Sequence, residues 1–405
     1  MAERETEHVR LVDAGRLRVS EAAAVPVRAA KAHFLAHGNT FGAGFVATAA
    51  GFAVTASDAL EGAGRDYVTR KQEAVDHGQN ATHVTLEPLP TRRDVQLSAP
   101  AHALALSADE LLLAVAYGSQ LAVYEVAELQ QSASPMALTV VSDVAVEEIA
   151  WCPRDARTGN GLAVLTSAGQ ALVYSVDGAV RQVAASAPAS SVSWSPSGAS
   201  LAVGLATSAI EVFSHPSLER ARTIDAPSCC NGDAFAVHHV NWAEDGLVLV
   251  GYRKYDAEQE ETTAFACLFE NDTWLELDEV VAFYDVENRS HQYYSVFLAE
   301  WRMFFIGCSL SADIELLVSD PDTGEWEVWK PSEKFQARLP MNAQDEESFP
   351  LGLALNFNSS SPVEVDETLY APAPLVVCAT TEGLLVNFAF IDTTVYDELP
   401  FIKAP

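Results

Sequence analysis

The sequence predicts an all-β fold, a seven-bladed β-propeller, because one pattern of strands and turns recurs at a fixed interval. Four segments share this pattern, and they span residues 103–126, 148–176, 191–215 and 239–256. The bulky residues at the aligned position are Leu106, Trp151, Trp194 and Trp242, with separations of 45, 43 and 48 residues. A period in the mid-forties is typical of one four-stranded blade.

Within each repeat, short apolar strands alternate with polar turns. The strands are near-continuous Val, Leu and Ala runs, which indicates sheets covered on both faces, as stacked blades are. Turn residues such as Ser195–Gly198 (Ser-Pro-Ser-Gly) separate them. The recurrent tryptophans are best explained as packing between blades.

Three further segments complete the count of seven blades. We assign 34–57 to the first blade, 293–320 to the sixth, and 349–357 with 373–392 to the seventh. Seven blades in 405 residues give roughly 58 residues each, which exceeds a minimal repeat and therefore predicts insertions. The candidate insertions are 61–82, 216–238, 254–264, 270–292 and 331–348.

A ring must also close, because an open edge strand invites aggregation. We predict that a strand within residues 8–30 completes the last blade, and the Val- and Leu-bearing segments 8–12 and 16–20 fit this role. Apart from a weak pattern over Arg16–Ala36, interpreted as an irregular, strand-containing lead-in, no amphipathic helix is expected. The chain is thus predicted to be a single propeller domain over residues 1–405, with a lead-in (1–33), blade repeats (34–392) and a tail (393–405).

Composition restricts the class of function. The net charge of −32 and the isoelectric point of about 4.5 disfavour direct binding of nucleic acid, since an acidic surface repels phosphate. The charge is explained either by solubility or by attraction to a basic partner. The first residues lack an apolar signal segment, and no apolar run is long enough to span a membrane. Six cysteines without metal-ligand spacing are interpreted as buried thiols in a reducing compartment.

No motif predicts catalysis, a cofactor or a metal site. The run Asp320–Gly324 resembles the start of a calcium loop, but Pro331 occupies the twelfth position, so a β-turn is the better interpretation. His238 and His239 begin a strand-like run. Alternation would send them to opposite faces, which disfavours joint metal binding and favours a core or channel position. Cys229 and Cys230 are expected in a loop.

An ordered set of motifs resembles one known family. Residues 191–204 contain S-V-x-W-S-P-x-G-x-x-L-A-V-G, residues 291–317 contain H-Q-Y-Y followed by A-E-W and S-A-D-I-E, and residues 348–391 contain S-F-P-L-G and a T-T-E-G-L-L turn. Together they resemble the N-terminal propeller of the CAN-type cytoplasmic-face FG nucleoporins. The resemblance implies a non-enzymatic, monomeric propeller at the cytoplasmic face of the nuclear pore, which docks a DEAD-box mRNA-export helicase and supports mRNA export by competing with RNA. Contacts to other pore components would lie in coiled-coil and FG-repeat regions, which this chain does not contain.

The resemblance also places a partner-binding site in the segment 331–348. The acidic run there matches an acidic pair of the family, whereas Gln336 occupies the place of a basic residue. The implied partner-binding residues are Lys334, Phe335, Arg338, Met341, Asp345, Glu346 and Glu347. Phe335 and Met341 are candidate apolar anchors, with packing beneath their own segment as the alternative. A second acidic stretch, 256–261, is interpreted as a solvated loop or a neighbouring contact.

Two other functions stay open from the sequence alone. The chain fits a generic propeller adaptor in another complex, and a pull-down lacking helicase and pore proteins would favour that. A propeller enzyme would instead place carboxylates or histidines with shifted pKa values in the central channel.

Overall fold

The architecture is a closed ring of antiparallel sheets. The computed structural model describes residues 2–22, 25, 31–78, 84–141, 144–153, 161–175, 178–230, 235–255, 261–277, 280–281, 289–342 and 344–394. These residues form seven main sheets, and the innermost strand of each contacts the innermost strands of its two neighbours. The predicted seven-bladed β-propeller is therefore confirmed.

The blades are numbered in chain order, with strands given from the innermost outward. Blade 1 comprises Leu35–Gly38, Ala43–Thr48, Gly51–Ala56 and Thr91–Gln96, and blade 2 comprises Ala103–Leu106, Leu112–Tyr117, Gln120–Glu125 and Ala137–Val140. Blade 3 comprises Val146–Trp151, Gly161–Thr166, Ala171–Ser175 and Val180–Gln182, and blade 4 comprises Ala189–Trp194, Ser200–Leu205, Ile210–Ser214 and Glu219–Ile224. Blade 5 comprises Ala236–Glu244, Leu247–Tyr255, Glu261–Glu270 and Thr273–Leu277. Blade 6 comprises Tyr293–Leu298, Met303–Cys308, Asp313–Ser319 and Trp326–Pro331. Blade 7 comprises Pro350–Asn356, Leu375–Thr380, Leu384–Asp392 and Val9–Arg18.

Several smaller elements lie outside the seven blades. The strands outside the blades are Ala2–Thr6, Glu87–Pro88, Ala337–Arg338 and the hairpin Val363–Val365 with Thr368–Tyr370. One α-helix spans Ser57–Asp76, and short 3₁₀ turns are Glu128–Gln130, Ser228–Cys230, Ala299–Trp301 and Glu333–Phe335.

The N-terminal segment closes the ring, as predicted. Val9–Arg18 pairs antiparallel with Leu384–Asp392 and thereby supplies the fourth strand of blade 7. The preceding strand, Ala2–Thr6, runs parallel to the outer strand of blade 6. The beginning of the chain thus adds a strand to each of two adjacent blades and thereby completes the ring.

The core lies between the blades. Six apolar clusters bridge the successive pairs of neighbouring blades among the described residues. The recurrent tryptophans belong to it: the indole N–H of Trp151 donates to the carbonyl of Ala105 in blade 2 (3.0 Å), and that of Trp194 donates to Ala150 in blade 3 (2.9 Å). Trp151 and Trp194 therefore join each innermost strand to the one before it, and Trp242 packs partly buried against the cluster between blades 4 and 5, which agrees with a packing role.

The helix Ser57–Asp76 was not predicted, and the expectation of no helix is wrong. Its buried face consists of Ser57, Leu60, Glu61, Gly64 and Tyr67, so a continuous apolar stripe is missing from the sequence. Small and hydrogen-bonded residues replace the stripe. A Cβ on the closing-strand residue Gly15, whose φ is +127°, would lie 2.2 Å from Gly64 Cα, so this close approach requires glycine. No helix among the described residues is long and apolar enough to cross a lipid bilayer.

Two predicted insertions instead contain blade strands. Glu219–Ile224 lies within 216–238, and Thr273–Leu277 lies within 270–292, each as the outermost strand of its blade. Most of their side chains are exposed, so these strands are polar and lack the apolar runs by which the inner strands were recognised. The segment 254–264 likewise overlaps two long strands of blade 5.

Three local motifs noted in the sequence have defined conformations in the structure. Asp320–Gly324 is a turn, because Asp320 Oδ1 accepts the backbone N–H groups of Asp322 and Thr323, both at 2.9 Å. The six cysteines are free thiols, and all except the half-buried Cys229 are buried. A β-bulge at Val237–His239 interrupts the alternation on which the histidine prediction depended, and His238 and His239 both lie beside Tyr293.

Candidate functional site

The segment 331–348, hereafter the connector, links blade 6 to blade 7. Its residues Ala337 and Arg338 pair with Ile314 and Asp313 at the start of a blade 6 strand. The N–H of Leu339 donates to the carbonyl of Ala312 (2.8 Å), which continues this pairing. The first part of the connector is thus fixed to blade 6 by backbone hydrogen bonds rather than left as a free loop.

Phe335 is buried and packs beneath the connector. Its side chain is 9% exposed, and the guanidinium of Arg10 lies 4.7 Å from the ring centroid. The ammonium of Lys334 lies 5.0 Å from the same centroid. Of the two positions that the sequence left open for Phe335, the structure shows the one beneath its own segment, so Phe335 is not an exposed anchor.

A tight turn carries the acidic run. Asn342 Oδ1 accepts the backbone N–H groups of Gln344 (2.9 Å) and Glu346 (3.0 Å), and the N–H of Asn342 donates to the carbonyl of Glu346 (2.8 Å). Asp345 has a φ of 60°, a left-handed conformation that aspartate tolerates better than most residues. Asp345 and Glu346 are exposed at this turn.

The cations of the connector have partners within the chain. Arg338 forms ion pairs with Glu347 and, at 3.5 Å, with Asp313. Lys334 pairs with Asp366 in the hairpin of blade 7, and Arg10 approaches the same carboxylate at 3.5 Å. The hydrogen bond from Lys334 is the main reason that the pKa of Asp366 is lowered. Burial raises the pKa of Asp313, and the Arg338 charge opposes that shift.

The predicted site residues therefore divide into three groups. Lys334, Arg338, Met341, Asp345 and Glu346 are exposed, Glu347 is half-buried against Arg338, and Phe335 is buried. Met341 is 53% exposed, one of the larger apolar side chains on the surface. Its side chain and the acidic turn lie within five residues of each other on the connector, so an apolar contact and negative charge are offered together.

Sequence reasoning missed the residues that hold the connector in place. Asp366, Arg10 and Asp313 come from the blade 7 hairpin, the closing strand and blade 6, respectively. They are far from the connector in sequence, and no local pattern signals their proximity. Of the second acidic stretch, 256–261, residues 256–260 lie outside the described residues.

A second polar cluster, hereafter the channel-end cluster, lies where the innermost strands begin. Lys31 Nζ donates to Glu148 Oε2 of blade 3 (2.6 Å) and to the carbonyl of Ser190 of blade 4 (2.7 Å). Ala32 exchanges two hydrogen bonds with the side-chain amide of Gln292 before blade 6 (3.0 and 2.9 Å). Residues 31–33 therefore lie across the ring and connect blades 3 and 4 with the segment before blade 6.

Several histidines of this cluster are held neutral. Burial lowers the pKa of His239 and of His291 to about 3, and nearby cations add to the effect. Burial also lowers the pKa values of His33 and His238. The imidazole of His239 hydrogen-bonds Ser295 Oγ at 2.8 Å. Among the described residues no three His, Cys, Asp or Glu side chains converge to hold a metal ion.

A larger cavity lies among the innermost strands. A cavity of about 460 Å³ is lined by the innermost strands of blades 1, 2, 5, 6 and 7. Its lining is mostly aliphatic, with His37, Asn39, Asn241 and Ser295 as polar members. The lowered pKa values of the histidines in the channel-end cluster follow from burial. Burial alone does not indicate catalysis.

Comparison with known proteins agrees with this architecture. A family model described as the NUP159/214 beta propeller matches residues 69–385. The chain is 26% identical over 322 residues to nuclear pore complex protein Nup214 of Homo sapiens and 21% identical over 206 residues to Nup214 of Drosophila melanogaster. These alignments cover 74% and 49% of this chain but only 15% and 12% of the relatives.

Solved structures show the same fold. The N-terminal domain of Nup159 superimposes with a TM-score of 0.69 at 14% identity, over 96% of this chain and 99% of that one. A chain of the S. cerevisiae complex described as Dbp5 bound to Nup159, Gle1, IP6 and ADP gives a TM-score of 0.68 at 14% identity, over 96% and 98%. Because the family model matches well over half of the sequence, this chain is a nucleoporin propeller that belongs to the NUP159/214 β-propeller family.

Proposed function

We propose that this chain is a non-enzymatic docking module of the cytoplasmic face of the nuclear pore, which binds a DEAD-box RNA helicase through the connector. The observation that carries the proposal is the exposed acidic turn at Asp345 and Glu346, beside exposed Met341, in a chain of net charge −32. The similar Nup159 propeller has been solved in a complex with Dbp5, which supports a helicase as the partner.

The division of charges supports separate roles for the paired and the unpaired residues of the connector. Lys334, Arg338 and Glu347 are engaged in ion pairs within the chain, so their charges are partly compensated. Asp345 and Glu346 have no cationic partner within 4 Å among the described residues, and their negative potential extends into solvent. We therefore assign steering of a basic surface to these two residues, and shaping of the connector to the paired ones.

Competition with RNA follows from this charge distribution. DEAD-box proteins use arginine and lysine to hold the RNA backbone, and an acidic turn offers those cations an alternative to phosphate. A helicase surface bound to the propeller would then be less available to RNA. Such exclusion would promote release of RNA at the exit of the pore and thereby support mRNA export.

The energy of docking is expected to be unequally distributed. Exposed ion pairs contribute about 0.2–1 kcal/mol each and act mainly on the association rate. A few buried anchors at an interface contribute about 2 kcal/mol or more. Met341 is the candidate for such an anchor, because Phe335 is already buried within the propeller.

Calorimetric titration with the helicase at two salt concentrations tests the proposal. We expect Asp345→Lys combined with Glu346→Lys to weaken binding about tenfold or more at low salt, since each reversal replaces attraction with repulsion. The effect should shrink at high salt. Glu125→Lys with Glu128→Lys is the matched control, because both residues are exposed acids on blade 2.

The control pair should lower affinity far less than the connector pair. Equal losses for both pairs would show that only the overall charge matters. Binding that neither salt nor the connector reversal affects would exclude the electrostatic account and favour a generic adaptor.

A further inference from the structure

A small polar pocket lies beside the end of the connector. It opens at the channel-end cluster and has a volume of about 10 Å³, enough for one water-sized group. Three cationic side chains line it, those of Lys31, Arg253 and Arg289, together with Tyr294 and Ser309. In a chain with a net charge of −32, three cations around one opening are a marked local exception.

Arg289 forms no ion pair among the described residues. Among the described residues no carboxylate lies within 4 Å of its guanidinium, whereas Lys31 is paired with Glu148. The guanidinium carbon of Arg289 lies 4.7 Å from the ring centroid of Phe349, the residue that follows the connector. Contact with the ring face leaves the in-plane N–H groups of the guanidinium available as donors. Burial lowers the pKa of Arg289, because its charge is partly removed from water.

Lys31 contributes a further donor. An ammonium has three N–H groups, and the two acceptors found for Lys31 are Glu148 and the carbonyl of Ser190. The lining thus presents ammonium and guanidinium groups, which are donors that an anionic oxygen would satisfy, whereas the Ser309 hydroxyl already donates to the carbonyl of Ser290 (2.7 Å). Charge-assisted hydrogen bonds of this kind are among the stronger ones in proteins.

We propose that this pocket binds a carboxylate group, with one of its oxygens placed between Lys31 and Arg289. The size of the pocket admits one oxygen while the rest of the ligand stays outside. The carboxylate belongs either to a small organic acid or to an Asp or Glu side chain of a docked protein. The second source rests on the proposed function, because Phe349 joins the pocket to the connector. A carboxylate seated there would fix the orientation of the partner at a point of opposite charge.

Thermal unfolding in sodium formate, compared with sodium chloride at equal ionic strength, tests the pocket alone. We expect formate at about ten times its dissociation constant to raise the melting temperature of the wild-type chain by about 2 °C. Arg289→Gln should abolish the rise, whereas Arg181→Gln, an exposed arginine on the outer strand of blade 3, should retain it. Equal melting temperatures in the two salts, or a rise that persists in Arg289→Gln, would overturn the proposal.

Crystals of the wild-type chain grown with formate give a second readout that does not depend on a variant. Formate within hydrogen-bond distance of Arg289 supports the proposal, and water or chloride alone at that place contradicts it. Helicase titrations with the same variants then identify the source. A loss of about tenfold in affinity for Arg289→Gln, but not for Arg181→Gln, assigns the carboxylate to the helicase, and unchanged affinity assigns it to a free acid. A wild-type chain that does not bind helicase refutes the proposed function, while the formate result still decides the pocket.

Discussion

The connector and the channel-end cluster both combine cations with carboxylates, but they differ in exposure. In the connector, the side chains of Lys334 and Arg338 are 67% and 47% exposed. At the channel end, the side chains of Lys31 and Glu148 are 7% and 10% exposed. Water weakens the first kind of pair and scarcely reaches the second. The same chemistry therefore forms solvent-exposed pairs on the connector and a buried link between blades at the channel end.

The largest effect is expected at the axis. Lys31→Met should lower the free energy of unfolding by about 3–5 kcal/mol, because Glu148 would be left buried without its cation. Denaturant titration measures this change. The double variant Lys31→Met with Glu148→Gln should recover much of the loss, since it removes the stranded charge. A single variant within about 1 kcal/mol of the wild type would show that the buried pair does not stabilise the ring.

Acid should also act at the channel end. The pKa values of His239 and His291 are about 3 in the folded chain, against an ordinary value near 6.5 when unfolded. Below pH 6.5 the unfolded chain therefore takes up more protons, and stability falls as the pH is lowered. For these two histidines the expected loss between pH 7.5 and 5.5 is on the order of 3 kcal/mol.

Denaturant titration at the two pH values measures this loss, and His239→Asn with His291→Gln is the informative variant. Replacing both rings with neutral amides should reduce the dependence on pH in this range, while His33 and His238, whose pKa values burial also lowers, continue to contribute. A slope that is unchanged in the variant would assign the acid sensitivity to other groups.

The smallest effect on stability is expected in the connector. Arg338→Gln removes the exposed pairs with Glu347 and Asp313, which should lower the free energy of unfolding by less than about 1 kcal/mol. The same change frees the Glu347 charge and makes the connector more negative. Stopped-flow mixing with the helicase should therefore show faster association at low salt. Slower association would mean that Arg338 itself contacts the partner.

The contrast between these regions also explains what the sequence could predict. The inner strands of the blades were recognised because they are nearly continuous apolar runs, as in Leu201–Leu205 and Leu375–Thr380. The outer strand Glu219–Ile224 has an exposed, polar sequence, so it resembled a loop. The helix Ser57–Asp76 escaped notice because Glu61 is buried in its face and is satisfied by hydrogen bonds from Ser359 and Ser361.

The sequence placed the candidate site in the connector but did not predict the ion pairs within it. The sequence and the family resemblance together predicted the acidic run and Met341 as site residues, whereas the exposure of Met341 is known only from the structure. The burial of Phe335 depends on Arg10, which is 325 residues away in the sequence. The partner of Lys334 lies in a hairpin of blade 7 that no repeat pattern indicates. Contacts between distant segments of this kind are set by ring closure, which a local pattern does not encode.

Competition for the helicase tests the central claim most directly. Fluorescence anisotropy can follow labelled single-stranded RNA bound to the helicase with a non-hydrolysable ATP analogue while the propeller is added. The account predicts that anisotropy falls to the value of free RNA, and that Asp345→Lys with Glu346→Lys requires at least about tenfold more propeller. A rise in anisotropy, which signals a ternary complex that retains RNA, would contradict it.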